Sequence, residues 1–310
     1  MIPLFDAHCD TLMMMDFKKL PIGSLGKNDL HIDLERLGGY GPSAQFFAIF
    51  GMKEFTPNGD VFGTLYRRFV QEIEANSERV MFCKCAADAE KAAEANKVAA
   101  FLSVEGAYIL DEGERLEEAY EKGVRMLTLT WNNANGISGT NTEPGNLGLT
   151  GKGKELVRRC QSMGIIVDLS HISQQGFWDT VEIAEKPVVT SHSNAAAIHN
   201  HSRNLSDDQL RALRDIGGVT GLNLYNDFIG GDTMDDCLRQ IEHILDVGGE
   251  GILALGSDFD GCSELPAGIT GADGWAKVYT ALAERGYPKR LLDDIFYNNL
   301  MRVVRNICDM

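Results

Sequence analysis

The chain is short of positive charge: 29 lysines and arginines stand against 45 aspartates and glutamates over 310 residues, a formal net charge of −16. A phosphate backbone or an anionic lipid surface is held by a basic patch, so neither nucleic acid nor a membrane is expected as a partner. Long apolar runs are missing too. The stretch Leu12-Met13-Met14-Met15 falls far below the ~18 apolar residues of a bilayer crossing. Met1 to Phe5 runs straight into Asp6 and His8, without the basic and apolar regions of a secretory signal, so the expectation is a cytoplasmic protein, neither secreted nor anchored. The seven cysteines, Cys9, Cys83, Cys85, Cys160, Cys237, Cys262 and Cys308, are odd in number and scattered, which reads as reduced thiols rather than a disulfide framework. Cys83 and Cys85 have no second pair and no histidine nearby, so a zinc knuckle is not expected. Linkers rich in Pro, Gly and Ser are absent, as are low-complexity tracts, and residues 1–310 read as a single domain.

What is present is a rhythm. With 44% hydrophobic residues a sizeable core is available, and short apolar, β-rich runs recur eight times: residues 2–5, 44–50, 98–104, 124–130, 165–169, 187–190, 219–224 and 252–255. Segments of helical periodicity lie between most of them, at 63–75, 115–123, 154–163, 174–184, 206–216 and 233–247. Ser206, Asp207 and Asp208 open one helix, and Gly123, Gly164, Gly217 and Gly248 close others. Strand then helix, repeated eight times, predicts parallel strands in an α/β (β/α)8 TIM-like barrel. Residues 51–95 and 132–153 are long for plain connections and read as decorations, the second shaping a pocket; residues 274–283 and 288–308 read as extra helices.

Barrel active sites are built at the carboxyl ends of the strands. His8 and Asp10 end the first strand, and on an extended chain positions i and i+2 share a side, leaving Cys9 to face away. Glu105 ends the third strand, His171 follows the fifth, His192 follows the sixth, and Gly256-Ser257-Asp258-Phe259-Asp260-Gly261 ends the eighth. A single histidine at a strand end is more often a hydrogen-bonded structural residue. Five strand ends carrying such groups together point to one or two divalent ions, held through imidazole nitrogen and carboxylate oxygen. Two ions suit the ligand count better, with Glu105 bridging. His31 and His243 read as packing or surface residues, His199 and His201 as candidates for orienting ligands, and Met13 to Met15 as packing rather than a soft-metal site.

His8-Cys9-Asp10, Val104-Glu105-Gly106, Asp168-Leu169-Ser170-His171, Ser191-His192-Ser193, Ser202-Arg203-Asn204-Leu205 with Asp207-Asp208, and the Asp258 turn together resemble the renal or membrane dipeptidase family, in its order and over almost the whole chain. The resemblance implies a binuclear zinc dipeptidase of the metal-dependent amidohydrolase type. His8 and Asp10 would bind one zinc ion, His171 and His192 the other, and Glu105 both. Asp258 would contact the nucleophilic water, a metal-bridging hydroxide, and act as acid and base. Arg203 would hold the substrate's carboxylate, and Tyr225 matches a pocket tyrosine. Renal members carry a histidine after the fourth strand that stabilises the tetrahedral oxyanion. Here Trp131, Asn132 and Asn133 follow that strand, so an amide of Asn132 or Asn133, or the metal alone, takes that role, and Trp131 walls the pocket. The expected partner is a small dipeptide, with a D-residue at its C-terminal position accepted by many relatives. Homodimers are frequent in the family, although no strip of this sequence marks an interface. Manganese, cobalt and iron accept similar ligands. The alternative is an N-acyl amino acid or lactone hydrolase on the same centre; a non-catalytic binding protein is disfavoured by the complete ligand set.

Overall fold

The computed structural model describes residues 1–52, 56 and 59–309. Nine parallel strands form one sheet: β1 (Leu4–Asp6), β2 (Ser43–Ile49), β3 (Val80–Phe82), β4 (Val98–Glu105), β5 (Val124–Thr128), β6 (Ile166–Asp168), β7 (Val189–Thr190), β8 (Val219–Leu222) and β9 (Leu253–Leu255). Eight of them close a barrel, because β1 pairs with both β2 and β9 while β2 pairs directly with β4. The ninth, β3, was not expected. It pairs with Val98–Ala100 at the start of β4, and from Leu102 onward β5 takes over. Residues 51–95 therefore contain more than a decoration: helix Val61–Ala75, this short strand and helix Ala86–Glu94. The run 187–190 contributes only Val189 and Thr190 as strand.

The strands are buried on both faces, as a parallel sheet enclosed by helices requires. Side chains at the start of several helices absorb amide groups that the helix itself cannot satisfy. Thr150 accepts from Gly153 N, Ser173 from Gly176 N, and Ser206 and Thr233 form reciprocal capping boxes with Gln209 and Asp236. These caps set where each helix turns back from the rim, and so where the preceding loop leaves its side chains.

Phe5, Phe46 and Phe101 fill the barrel floor, with ring centroids 5.1–5.6 Å apart. The C-terminal helix Asn299–Cys308 packs Leu300, Val303, Val304 and Ile307 into the same cluster and seals that end. At the opposite end, a Cβ on Gly221 or Gly256 would lie 2.0 Å and 1.7 Å from the Ser191 carbonyl oxygen. Only glycine permits the last strands to close beneath the rim. Replacing Phe101 with alanine is expected to cost about 3–5 kcal/mol, since the packed floor cannot collapse around the cavity. Urea unfolding monitored by fluorescence checks this: the midpoint should fall with little change in slope.

Candidate metal centre

The closed barrel brings six of the sequence-predicted residues to one point. His8, Asp10 and Glu105 form one cluster able to hold a metal ion, Glu105, His171 and His192 a second, and His8, His192 and Asp258 a third, each within 4.8 Å. His8 Nε2 lies 3.5 Å from Asp10 Oδ2, 3.7 Å from Glu105 Oε2 and 3.8 Å from Asp258 Oδ1. Glu105 turns its other oxygen to His171 Nε2 at 3.0 Å and His192 Nε2 at 3.5 Å. It thus faces both groups of ligands. His171 and Asp258 sit at φ +69° and +62°, in the left-handed region that side chains other than glycine seldom enter. Such backbone strain is commonly kept where it aims a functional side chain.

The hydrogen bonds behind the rings identify the free nitrogens. His171 Nδ1–H donates to Asn132 Oδ1 at 2.8 Å, and His192 Nδ1 lies 2.7 Å from Ser191 Oγ, whose own proton goes to Asp168 Oδ2 at 2.6 Å, so this ring nitrogen donates too. Both Nε2 atoms then carry lone pairs, yet they face each other at 3.0 Å and face a carboxylate. Acceptors so arranged repel unless a cation sits among them. His8 Nε2 and Asp10 Oδ1 are buried without a hydrogen-bond partner among the described residues. A buried polar atom left unpaired is costly, and a metal ion supplies the missing partner to all of these groups. The donor set therefore fits divalent metal.

Electrostatics agrees. Burial pushes Glu105 well above the usual carboxylate range, with Asp10 and Asp258 adding to the effect and His8 opposing it. Burial also raises Asp258, to about 6, with His8 and Arg203 opposing. His171 and His192 are held far below the ordinary imidazole value by burial, so both stay neutral, as ligation requires. For His8, burial opposes charge, but Glu105, Asp10 and Asp258 outweigh it and raise its pKa to about 10.

Around this centre lies a cavity of about 340 Å3 that includes Asp10, Glu105, His171 and Asp258 together with Trp131, Asn132, Arg203 and Tyr225, so the predicted substrate-binding residues share the site. The Arg203 guanidinium is buried over the Phe228 ring at 5.2 Å, donates from Nη2 to the His192 carbonyl at 3.4 Å, and leaves Nε and Nη1 unpartnered among the described residues. Trp131 packs on Phe50, with ring centroids 5.0 Å apart, and walls the cavity. Asn132 has a use the sequence did not reveal, since its amide oxygen orients His171. Two expectations need correction. His31 is not remote packing, because its Nδ1 accepts from Asp260 N at 3.0 Å while its own N–H donates to Asp260 Oδ1 at 2.8 Å, bracing the Asp258 turn. Met13 packs against the core, as expected, and also lines the cavity. Of the other two histidines, His201 reaches the cavity, whereas the His199 ring packs at Gly230. His243 pairs with Asp207 at 2.7 Å, away from the site.

Sequence reasoning passed over Asp6 and Asn223. Asp6 accepts from His8 N, Ser257 N and Trp275 Nε1, tying the end of β1 to the turn after β9. Asn223 Nδ2 holds Asp258 Oδ2 at 3.0 Å, leaving Oδ1 toward the centre. Asp6 did carry a signal, a carboxylate two residues before a ligand; Asn223 carried none.

A parallel barrel with imidazoles and carboxylates gathered at its carboxyl rim defines a metal-dependent hydrolase. The family model for membrane dipeptidase, peptidase family M19, matches residues 1–310, and the chain belongs to that family: it is an enzyme, a metallopeptidase of the dipeptidase type. An uncharacterized dipeptidase of Schizosaccharomyces pombe is 34% identical over 278 residues, covering 82% of this chain and 67% of the relative. A metallopeptidase from Rhodobacter sphaeroides, solved with a phosphinate mimic of the dipeptide L-Ala-D-Ala, superposes with a TM-score of 0.89 at 26% identity over 99% of each chain. Dipeptidase AC, a metallopeptidase of the same family, gives 0.89 at 27% identity over 100% of this chain and 99% of that one. Among the described residues no helix is long and apolar enough to cross a membrane.

Metal binding should stabilise the fold, because several buried carboxylates meet only one buried guanidinium here. Each ion at 100-fold excess over its dissociation constant should add about 2.7 kcal/mol. Calorimetry of chelated and zinc-reloaded protein should show a higher Tm on reloading, with the gain shrinking in His192→Ala.

Proposed function

We propose that residues 1–310 act as one catalytic domain that hydrolyses dipeptides, including those with a D-residue at the carboxyl end, at a centre of two zinc ions. The observation that carries this reading is Arg203: a buried cation with two free donors beside a metal-binding cluster suits a small substrate that ends in a free carboxylate. The L-Ala-D-Ala mimic bound by the Rhodobacter sphaeroides relative supports both the substrate length and the D-residue. His8 and Asp10 would hold one ion, His171 and His192 the other, and Glu105 both. When bound, the ions polarise the scissile carbonyl and make water acidic enough to attack near neutral pH.

The chain's own residues do the rest. Arg203 anchors the carboxylate, which fixes the reach from the substrate's end to its peptide bond. Asp10 and Asp258 make the far side of the cavity acidic, a favourable place for the substrate's ammonium group. Asp258, with Oδ2 held by Asn223, presents Oδ1 to take a proton from attacking water and return it to the leaving amine. Trp131 and Phe50 exclude solvent from one wall. Tyr225 lines the opening. The seven cysteines, all free, support a reducing, cytoplasmic setting.

A panel of L-L, L-D and D-L dipeptides tests the proposal. Turnover should require both metal and Asp258, falling about 100-fold or more in Asp258→Asn, within the usual contribution of a general acid–base group. Arg203→Ala should lower kcat/KM for a free dipeptide far more than for its neutral ester or for a lactone. Equal losses on both substrates would remove the carboxylate clamp and favour an acyl or lactone hydrolase.

A further inference from the structure

Of the two rings in the Glu105, His171 and His192 cluster, His171 is backed by the neutral amide of Asn132, whereas His192 is backed by a fully buried charged network. Ser191 Oγ stands 2.7 Å from His192 Nδ1 and 2.6 Å from Asp168 Oδ2. That carboxylate oxygen also accepts from Thr128 Oγ1 at 2.6 Å. The other, Oδ1, accepts from Ser170 N at 3.0 Å and Ser191 N at 2.8 Å. A carboxylate only accepts, so the Ser191 hydroxyl must spend its single proton on Asp168. Its oxygen is left as an acceptor 2.7 Å from His192 Nδ1, where a second lone pair would repel it, so the ring carries its proton on Nδ1.

We infer that Asp168 is a positioning residue that acts through Ser191 to lock His192 in the tautomer whose Nε2 lone pair faces the metal site. The assignment extends the proposed metal centre and rests on it for its functional meaning, while the direction of the relay follows from hydrogen-bond polarity alone. An isosteric amide reverses that direction. In Asp168→Asn, the side-chain oxygen keeps the two backbone N–H groups and the NH2 group faces Thr128 and Ser191. Ser191 then accepts from that NH2 group and donates to His192 Nδ1, which places the ring proton on Nε2. Outer partners of this kind are worth about 10–100-fold in metal affinity.

The test is long-range 1H–15N NMR of histidine-labelled, metal-free protein, together with competitive zinc titration. The parent should show His192 protonated on Nδ1. Asp168→Asn should show it on Nε2 and bind the zinc ion of this cluster about 10–100-fold more weakly. Ser191→Ala should lose the Nδ1 preference and weaken zinc similarly. Ser170→Ala removes an equally buried hydroxyl, 3.2 Å from Ser191 Oγ, that does not touch the ring nitrogen, and should keep the parent tautomer and affinity. An unchanged His192 tautomer in Asp168→Asn, or an equal effect of Ser170→Ala, overturns the relay. The expected tautomers in a protein that takes up no zinc would sustain the relay and sink the metal reading instead.

Discussion

The rest of the structure depends on a repulsion. Closing eight parallel strands into a barrel forces the groups at their carboxyl ends into one small, dry volume, and in this chain those groups are nearly all acceptors. Imidazole lone pairs from two strands oppose each other at 3.0 Å. Three carboxylates gather from three, and among the described buried residues there only Arg203 carries a permanent positive charge. In water these groups would separate. The barrel holds them because its stability is generated elsewhere, in the aromatic floor and the helix-covered strands, and a divalent cation would turn the crowding into coordination.

The same geometry separates two jobs within one cavity. Metal-facing nitrogens and oxygens occupy the barrel axis. Arg203 comes instead from the long connection after β7, where its guanidinium lies over the Phe228 ring, and in the proposed function it would read the end of a substrate rather than its reacting bond. A clamp and a reacting centre held on separate elements would select for length. Loops supply the walls, and strand ends supply the chemistry, which is the division of labour expected at the rim of such a barrel.

A layer of buried carboxylates lies behind the metal-facing groups. Asp6 joins the end of β1 to the turn after β9, Asp168 joins β6 to β7, and Asp260 joins the Asp258 turn to the loop at His31. Each is satisfied by backbone amides, hydroxyls or, for Asp6, also an indole N–H rather than by a cation. Dipoles of the chain are thereby spent on stiffening the ligand-bearing turns, and the positive charge that remains to be supplied is concentrated at the metal positions.

Much of this was legible in the linear chain because its information is periodic or chemical. Strand and helix periods predicted the barrel, and the placement of His8, Asp10, Glu105, His171, His192 and Asp258 at strand ends predicted a metal site, since these residue types share one coordination chemistry. The short β3 was missed because three residues beside a helix carry too little periodicity to register. His31, Asn132 and Asn223 were misread or passed over because each acts across a gap of 35 or more residues, through a hydrogen bond set by loop conformation. By itself the sequence determined which groups arrive at the rim. Only the tertiary structure decided which nitrogen of each ring faces inward and which donors stand behind it, because hydrogen-bond direction belongs to pairs of atoms brought together by barrel closure and has no period along the chain.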